Sequence, residues 1–259
     1  MATKVIIHSP KGGQGKTTVT ANVAMMLAGA GKRVLAVDAD ESESRGLGLY
    51  FNVQAEQGLS DLVAGRPLGE LAGKVRDNLF FLPAGDLVQA NRLIDQERAT
   101  PNAVIEDRMA PHEDAFDFIL FDTSPNSRTR LIFNLFYYCD RLVIPIETRR
   151  AGVDVLEPFM ALVEGLLPRM RKPVGKGPLK VSCIVPYWHT GANASEGSLG
   201  LLQERYGALL TEPIRHSTAL VEAWAKGQML EEHLTRRPRD NEAQILKVFK
   251  TITRKLTAA

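Results

Sequence analysis

The run Ser9-Pro10-Lys11-Gly12-Gly13-Gln14-Gly15-Lys16-Thr17-Thr18 packs three glycines, two lysines and two threonines into ten residues. Such a run can cradle phosphate. Its glycines let successive backbone N–H groups turn inward as an anion nest, and a helix starting at its end adds a partial positive charge. In that geometry Lys16 reaches the β- and γ-phosphates of a nucleotide and the Thr17 hydroxyl ligates Mg²⁺. Gly12, Gly13, Gln14, Gly15 and Thr18 complete the cradle. The run fits GxxxxGK[ST] only if Pro10 or Lys11 stands where the first glycine belongs, so it is a deviant form.

Carboxylates complete the chemistry. The apolar run 118–122 ends in Asp122, the Walker B pattern, which puts an acid at a strand's C-terminal edge near the metal. The run 34–38 ends in Asp38, with Asp40 two residues on. Asp40 is expected to face the metal water or the attacking water, and Asp38 to cap or hydrogen-bond the loop. The expected catalytic residues are therefore Lys11, Lys16 and Asp40, and the expected Mg²⁺ site is Thr17, Asp40 and Asp122. Lys11 lies too early in the loop to share the phosphates of Lys16. It is expected to reach the nucleotide of a second subunit, which would make ATP binding and dimerisation one event.

These residues need elements that hold them. Short β-branched or apolar runs predict strands over 5–8, 33–38, 79–82, 116–122, 141–146, 180–185 and, more weakly, 212–215. Helical patterns cover 16–29, 87–98, 128–138, 153–167, 195–206, 218–226 and 241–256, and 168–178, rich in Pro, Gly and basic residues, reads as an exposed loop. Strand–helix alternation implies an α/β fold with a mostly parallel twisted sheet, helices on both faces, and ligands at the strands' C-terminal ends. Residues 1–259 read as one domain of the P-loop NTPase type.

The chain is 44% hydrophobic and 24% charged, the composition of an ordinary globular protein. Cys139 and Cys183 stand apart in apolar stretches, which suggests neither a disulfide framework nor a zinc site, and a reducing cytoplasm is expected. No signal peptide precedes the first strand and no apolar run is long enough to span a membrane. From Lys226 onward the chain holds eight Lys/Arg against four Asp/Glu, an asymmetry that points to an anionic partner.

With these residues placed, the chain resembles the ParA/MinD group of deviant Walker ATPases, most closely the short ParA-like (Soj-like) partition proteins. Residues 11–18 look like the group's KGGxGKTT, with Lys11 as its signature lysine; Asp40 corresponds to the Walker A′ aspartate, and Asp122-Thr-Ser-Pro125 resembles the switch after Walker B. Asp140-Arg-Leu-Val-Ile-Pro145 and 213–227 are similar to later group motifs. Glu41-Ser42, Ser124 and Gln14 depart from the pattern, and none removes a phosphate or metal contact.

The resemblance implies ATP/ADP and Mg²⁺ as cofactors, an ATP-dependent homodimer, nonspecific DNA binding, and a ParB-like centromere-binding or cargo adaptor protein that stimulates hydrolysis. It implies a cytoplasmic protein, nucleoid-associated in the ATP state, that drives plasmid or chromosome partition. Arg215, Lys226, Arg236, Arg237, Arg239, Lys247 and Lys250 are the candidates for DNA phosphates. No helix-turn-helix extension is expected before the first strand. The alternatives are a positioning ATPase for a protein cargo and a MinD-like membrane-surface ATPase using the basic, amphipathic helix 241–256. An iron–sulfur role lacks suitably placed cysteines, and a non-catalytic scaffold has no use for Lys16, Thr17, Asp40 and Asp122 together. His8, His112, His189, His216 and His233 are scattered, and Tyr187-Trp188 is placed to stack on adenine or a partner, ordinary packing being the simpler reading.

Overall fold

Eight strands form one sheet in the computed structural model, which describes all residues except 42–45, 101, 172–174, 235–237 and 259. They are β1 (Thr3–Ile7), β2 (Val34–Ala39), β3 (Gly73–Arg76), β4 (Leu79–Leu82), β5 (Phe118–Thr123), β6 (Arg141–Glu147), β7 (Lys180–His189) and β8 (Ile214–Arg215), in the order β3-β4-β2-β5-β1-β6-β7-β8. All neighbours pair parallel except β3, which runs antiparallel to β4 at the edge. Every residue of β2 and β5 is buried, as expected of parallel strands covered on both faces.

The helices are α1 (Lys16–Gly29), α2 (Gly46–Phe51), α3 (Leu59–Val63), α4 (Leu68–Leu71), α5 (Leu87–Gln96), α6 (Val104–Met109), α7 (Arg130–Tyr138), α8 (Arg150–Ala161), α9 (Leu167–Arg171), α10 (Asn193–Tyr206), α11 (Thr218–Ala225), α12 (Leu230–His233) and α13 (Asp240–Thr257). Strand residues alternate between two cores. Ile119 and Phe121 of β5 join the core built with α5, α7 and α8, whereas Phe118 and Leu120 join the core built with α1 and α13. By that parity Asp38 and Asp122 face the α1 side, where the phosphate loop enters its helix.

Three expectations change. β7 runs four residues past the predicted end, through Pro186; β8 takes up its ladder only from Tyr187, and β6 continues alongside to Glu147. The polar strand β3 carries no apolar alternation and left no signal. The predicted exposed loop 168–178 is helical through Arg171, because α8 continues by a π turn, Leu162–Leu166, into α9. Arg171 is 3% exposed. Its Nη1 donates to the carbonyls of Phe136 (2.6 Å), Tyr137 (3.0 Å) and Cys139 (2.7 Å), and its Nε to that of Gly177 (2.7 Å). The guanidinium thus satisfies carbonyls at the end of α7 that have no helical partner.

On α13 the apolar residues Ile245, Leu246, Val248, Phe249, Ile252 and Leu256 are buried in the α1-side core. That face is used by the fold, so the membrane-surface reading loses the surface it relied on. Among the described residues no helix is long and apolar enough to cross a membrane.

Arg171→Met is expected to destabilise the chain by about 3 kcal/mol, since three carbonyls lose a charged donor in a buried place. Urea unfolding checks this, and a variant within about 0.5 kcal/mol of wild type, the range of an ordinary surface change, would contradict it.

Candidate nucleotide-binding site

The segment between β1 and α1 lies at the C-terminal ends of the central strands. Gly13 and Gly15 hold φ of +72° and +84°, which side-chain-bearing residues rarely adopt. Gly15 has a second constraint: a Cβ there would stand 2.4 Å from the Tyr187 ring. It is also the N-cap of α1, without a side-chain cap, and no acidic residue follows in the first turn. The first N–H groups of a 14-residue helix are therefore left to an anion.

Lys16 is 6% exposed and its Nζ donates to the Lys11 carbonyl at 3.3 Å. Burial pushes its pKa down, opposed by the Asp122 and then the Asp40 carboxylate. The sheet register explains the acids: Asp38 and Asp122 are direct partners across β2 and β5 and project to one face. Asp122 is fully buried; Oδ1 accepts from Thr20 Oγ1 at 3.3 Å, and Oδ2 has no hydrogen-bond partner among the described residues. Burial first, and then the Asp38 charge, pushes its pKa well up. Asp38 is pushed up to about 7, mainly by burial, while its Oδ1 accepts from the Asp40 N–H at 3.1 Å. Asp38 thus orders the backbone that delivers Asp40, and Asp40 lines the cleft with Gly46.

The cleft measures about 650 Å³ and is lined by Gly12, Gly13, Gln14, Gly15, Lys16, Thr17 and Thr18 on one side. Pro125, the end of the switch motif, closes it elsewhere with Glu147, Arg149, Tyr187, Trp188 and Trp224, and sequence reasoning did not place Glu147 or Arg149 at the nucleotide. Glu147 ends β6, the position at which parallel sheets place ligand contacts, and that was the signal available. The Glu147 carboxylate pairs with Lys11 Nζ (3.3 Å) and Arg149 Nε (2.9 Å), and the Glu147 N–H donates to Gln14 Oε1. Gln14 is 1% exposed, its side chain turned inward as a tie to β6. Arg150, paired with Asp154 at 2.8 Å, takes no part. Tyr187 and Trp188 stack at 5.9 Å, and the edge of His216 meets Trp188 at 4.4 Å.

The DNA candidates are spread over the surface. Arg215 is exposed and lines a second cleft with His189, Thr190, His216, Asp240, Asn241 and Gln244. Lys226 and Arg239 are exposed at the end of α11 and the start of α13. Lys247 pairs with Glu212 at 2.6 Å and Lys250 with Glu231 at 3.9 Å. Arg236 and Arg237 lie outside the described residues.

A phosphate loop at the ends of a parallel sheet, with a buried lysine and two strand-end aspartates, defines a P-loop nucleotide-binding α/β protein. Residues 2–174 match the family described as AAA domain, and the chain belongs to that family, in its ParA/MinD-type ATPase branch. It is 34% identical over 173 residues to the chromosome-partitioning ATPase Soj of Thermus thermophilus, covering 65% of this chain and 66% of that protein, just under two thirds of its length. It is 29% identical over 193 residues to the maintenance of carboxysome distribution protein A of Synechococcus elongatus, covering 69% of this chain and 76% of that protein. Its fold is similar to that of the D38A variant of Cyanothece McdA in complex with ATP, with TM-score 0.82 and 22% identity over 98% of this chain and 96% of that one. The septum site-determining protein MinD of Pyrococcus horikoshii, complexed with Mg-ADP, superposes with TM-score 0.73 at 20% identity over 100% and 97% of the two chains.

His8, directly after β1, is fully buried, and burial, then the Lys16 charge, pushes its pKa from 6.5 down to about 3. Above pH 6.5 it is neutral folded and unfolded; as the pH falls from 6.5 toward 3, only the unfolded chain takes up the proton, so stability falls. Unfolding free energies measured from pH 7 to 4 are expected to drop more steeply for wild type than for His8→Asn, and parallel curves would contradict this.

Proposed function

We propose that this protein is a Mg²⁺-dependent ATPase that closes into a homodimer on binding ATP, holds DNA without sequence preference while closed, and lets go when a ParB-like adaptor stimulates hydrolysis. The observation that carries the reading is the convergence at one cleft of an uncapped α1 N-terminus, a buried Lys16 and Asp40, backed by the buried Asp38–Asp122 pair. In this reading 1–259 work as one ATPase domain.

The donor set fits the cofactor. A hydroxyl at Thr17 and a buried carboxylate oxygen on Asp122 with no partner among the described residues are hard oxygen donors, as Mg²⁺ prefers. Among the described residues no three His, Cys, Asp or Glu stand close enough to hold a metal unaided, so nucleotide and water would supply the remaining ligands. Bound there, Mg²⁺ would neutralise charge on the phosphates. The N–H groups of 12–18 hold the phosphates, Lys16 draws off charge from the transferred group, and Asp40 orients the attacking water. The aromatic end, Tyr187, Trp188 and Trp224, offers ring faces to adenine.

Lys11 would act on the partner's nucleotide. Within one chain its ammonium is held by Glu147, with side-chain exposures of 37% and 13%. A partly exposed ion pair of this kind is worth about 1 kcal/mol or less, so its release is a small cost of closing a dimer. Arg215, Lys226 and Arg239 are exposed and are better placed for DNA phosphates than Lys247 and Lys250, which already face acids.

A second reading, a positioning ATPase for a protein cargo, draws on the likeness to the carboxysome distribution proteins in sequence and fold. Both readings share the switch and differ in the adaptor.

Light scattering with a slowly hydrolysed ATP analogue is expected to give a dimer for wild type and a monomer for Lys11→Ala, with ADP giving monomer in both. DNA retention should follow the dimer, and Arg215→Glu or Arg239→Glu should each lower the salt slope of DNA binding by about one. A monomer in every nucleotide, with no DNA retained, would overturn the proposal.

A further inference from the structure

One buried ring ties the two halves of the nucleotide site together. His8 stands where β1 becomes the phosphate loop, and its side chain faces away from the loop, into the α7/α8 core, at 5.2 Å from the Phe136 ring and 5.3 Å from the Phe159 ring. Both ring nitrogens are engaged. Nδ1 lies 2.8 Å from Thr123 Oγ1 and Nε2 lies 2.8 Å from Ser127 Oγ.

The hydrogens in this cluster can be placed. Thr123 Oγ1 is also 2.8 Å from the Ile7 carbonyl, which can only accept, so the single hydroxyl hydrogen of Thr123 is committed there. His8 Nδ1 must then donate to Thr123 Oγ1. A neutral imidazole that donates at Nδ1 has a lone pair at Nε2, and Ser127 donates to it. The low pKa of His8 agrees with a neutral ring.

What the ring joins gives the cluster its use. Thr123 follows Asp122 directly, and Ser127 lies within the short non-helical stretch 124–129 between β5 and α7, whose Pro125 lines the nucleotide cleft. Ser124 is 3% exposed and its N–H donates to Ala39 O at 3.4 Å, so this stretch is also joined to the strand that delivers Asp40. Besides a local turn, Arg128 N–H to Asn126 Oδ1 at 3.2 Å, the His8–Ser127 bond is what joins the stretch from 125 to 127 to the start of the phosphate loop.

We propose that His8 is a positioning residue, which through Thr123 and Ser127 fixes the segment after Asp122 against the start of the phosphate loop and so sets the cleft wall at Pro125. The proposal rests on the ATPase reading for its kinetic consequence and on the cluster alone for its structural one. A misplaced wall displaces the reacting groups without removing any contact that holds the nucleotide, so turnover falls while affinity stays.

The test uses Ser127→Ala, which removes one exposed-side hydroxyl and leaves the buried ring in place, together with Ser127→Thr, which keeps the hydroxyl. Expected are a fall in kcat of about tenfold for the alanine variant with KM for ATP unchanged, and recovery in the threonine variant. Amide hydrogen exchange over 124–128 should quicken by about tenfold in Ser127→Ala and nowhere else. Histidine-selective ¹⁵N spectra of wild type should show the Nδ1–H tautomer for His8. An Nε2–H tautomer, or unchanged exchange over 124–128 in Ser127→Ala, would overturn the proposal. No turnover in wild type would defeat the ATPase reading, and the tautomer and exchange measurements would still decide the role of His8.

Discussion

A lysine ammonium buried among strand-end carboxylates is the constraint on which the rest of the site depends. Lys16 is 6% exposed and Asp122 fully buried, with Asp38 beside it in the sheet register. Burying charge in this way costs free energy unless partners compensate. Here the pKa of Lys16 is pushed down and those of Asp38 and Asp122 up, which marks a group of charges that the chain alone leaves poorly balanced. A metal–polyphosphate complex would supply both signs: anion for Lys16 and the α1 N-terminus, cation for the carboxylates. The sheet creates this arrangement, because parallel pairing of β2 with β5 puts Asp38 opposite Asp122 on the face where α1 begins.

The neighbouring interactions hold that arrangement in shape. Tyr187 packs so closely over Gly15 that only glycine fits, which fixes the last turn of the phosphate loop against β7. Gln14 ties the same loop to β6 through the Glu147 N–H, and the Glu147 carboxylate holds Lys11 and Arg149. On the other side of the sheet, His8 links the beginning of the loop to the segment after Asp122. The loop is therefore fixed by three strands, β5, β6 and β7, besides its own β1 and α1.

How much of this the sequence disclosed follows the range of each interaction. The phosphate loop, Asp40 and Asp122 were legible because their chemistry is local: a glycine run between strand and helix, and acids at the ends of apolar runs. The parallel sheet was legible from alternation. Glu147 and Arg149 were not, since only the β1–β6 pairing brings them beside residues far away in the chain. Arg171 was read as part of an exposed basic loop, although its guanidinium is spent inside on α7 carbonyls, a use of arginine that composition cannot reveal. Pro186 halted the strand prediction where the local ladder tolerates it. On α13 the apolar stripe was ambiguous between core and membrane, and contact with α1 decides for the core.

Calorimetric titration of the wild-type chain with ADP, in the presence of Mg²⁺ and again with chelator, shows whether the buried lysine and the strand-end carboxylates take up a metal–polyphosphate complex together. Tight binding that depends on Mg²⁺ is expected, with weak or no binding of Mg²⁺ on its own, because the carboxylates among the described residues do not form a metal site without the phosphates. Equal ADP affinity with and without Mg²⁺, or no ADP binding at all, would contradict it.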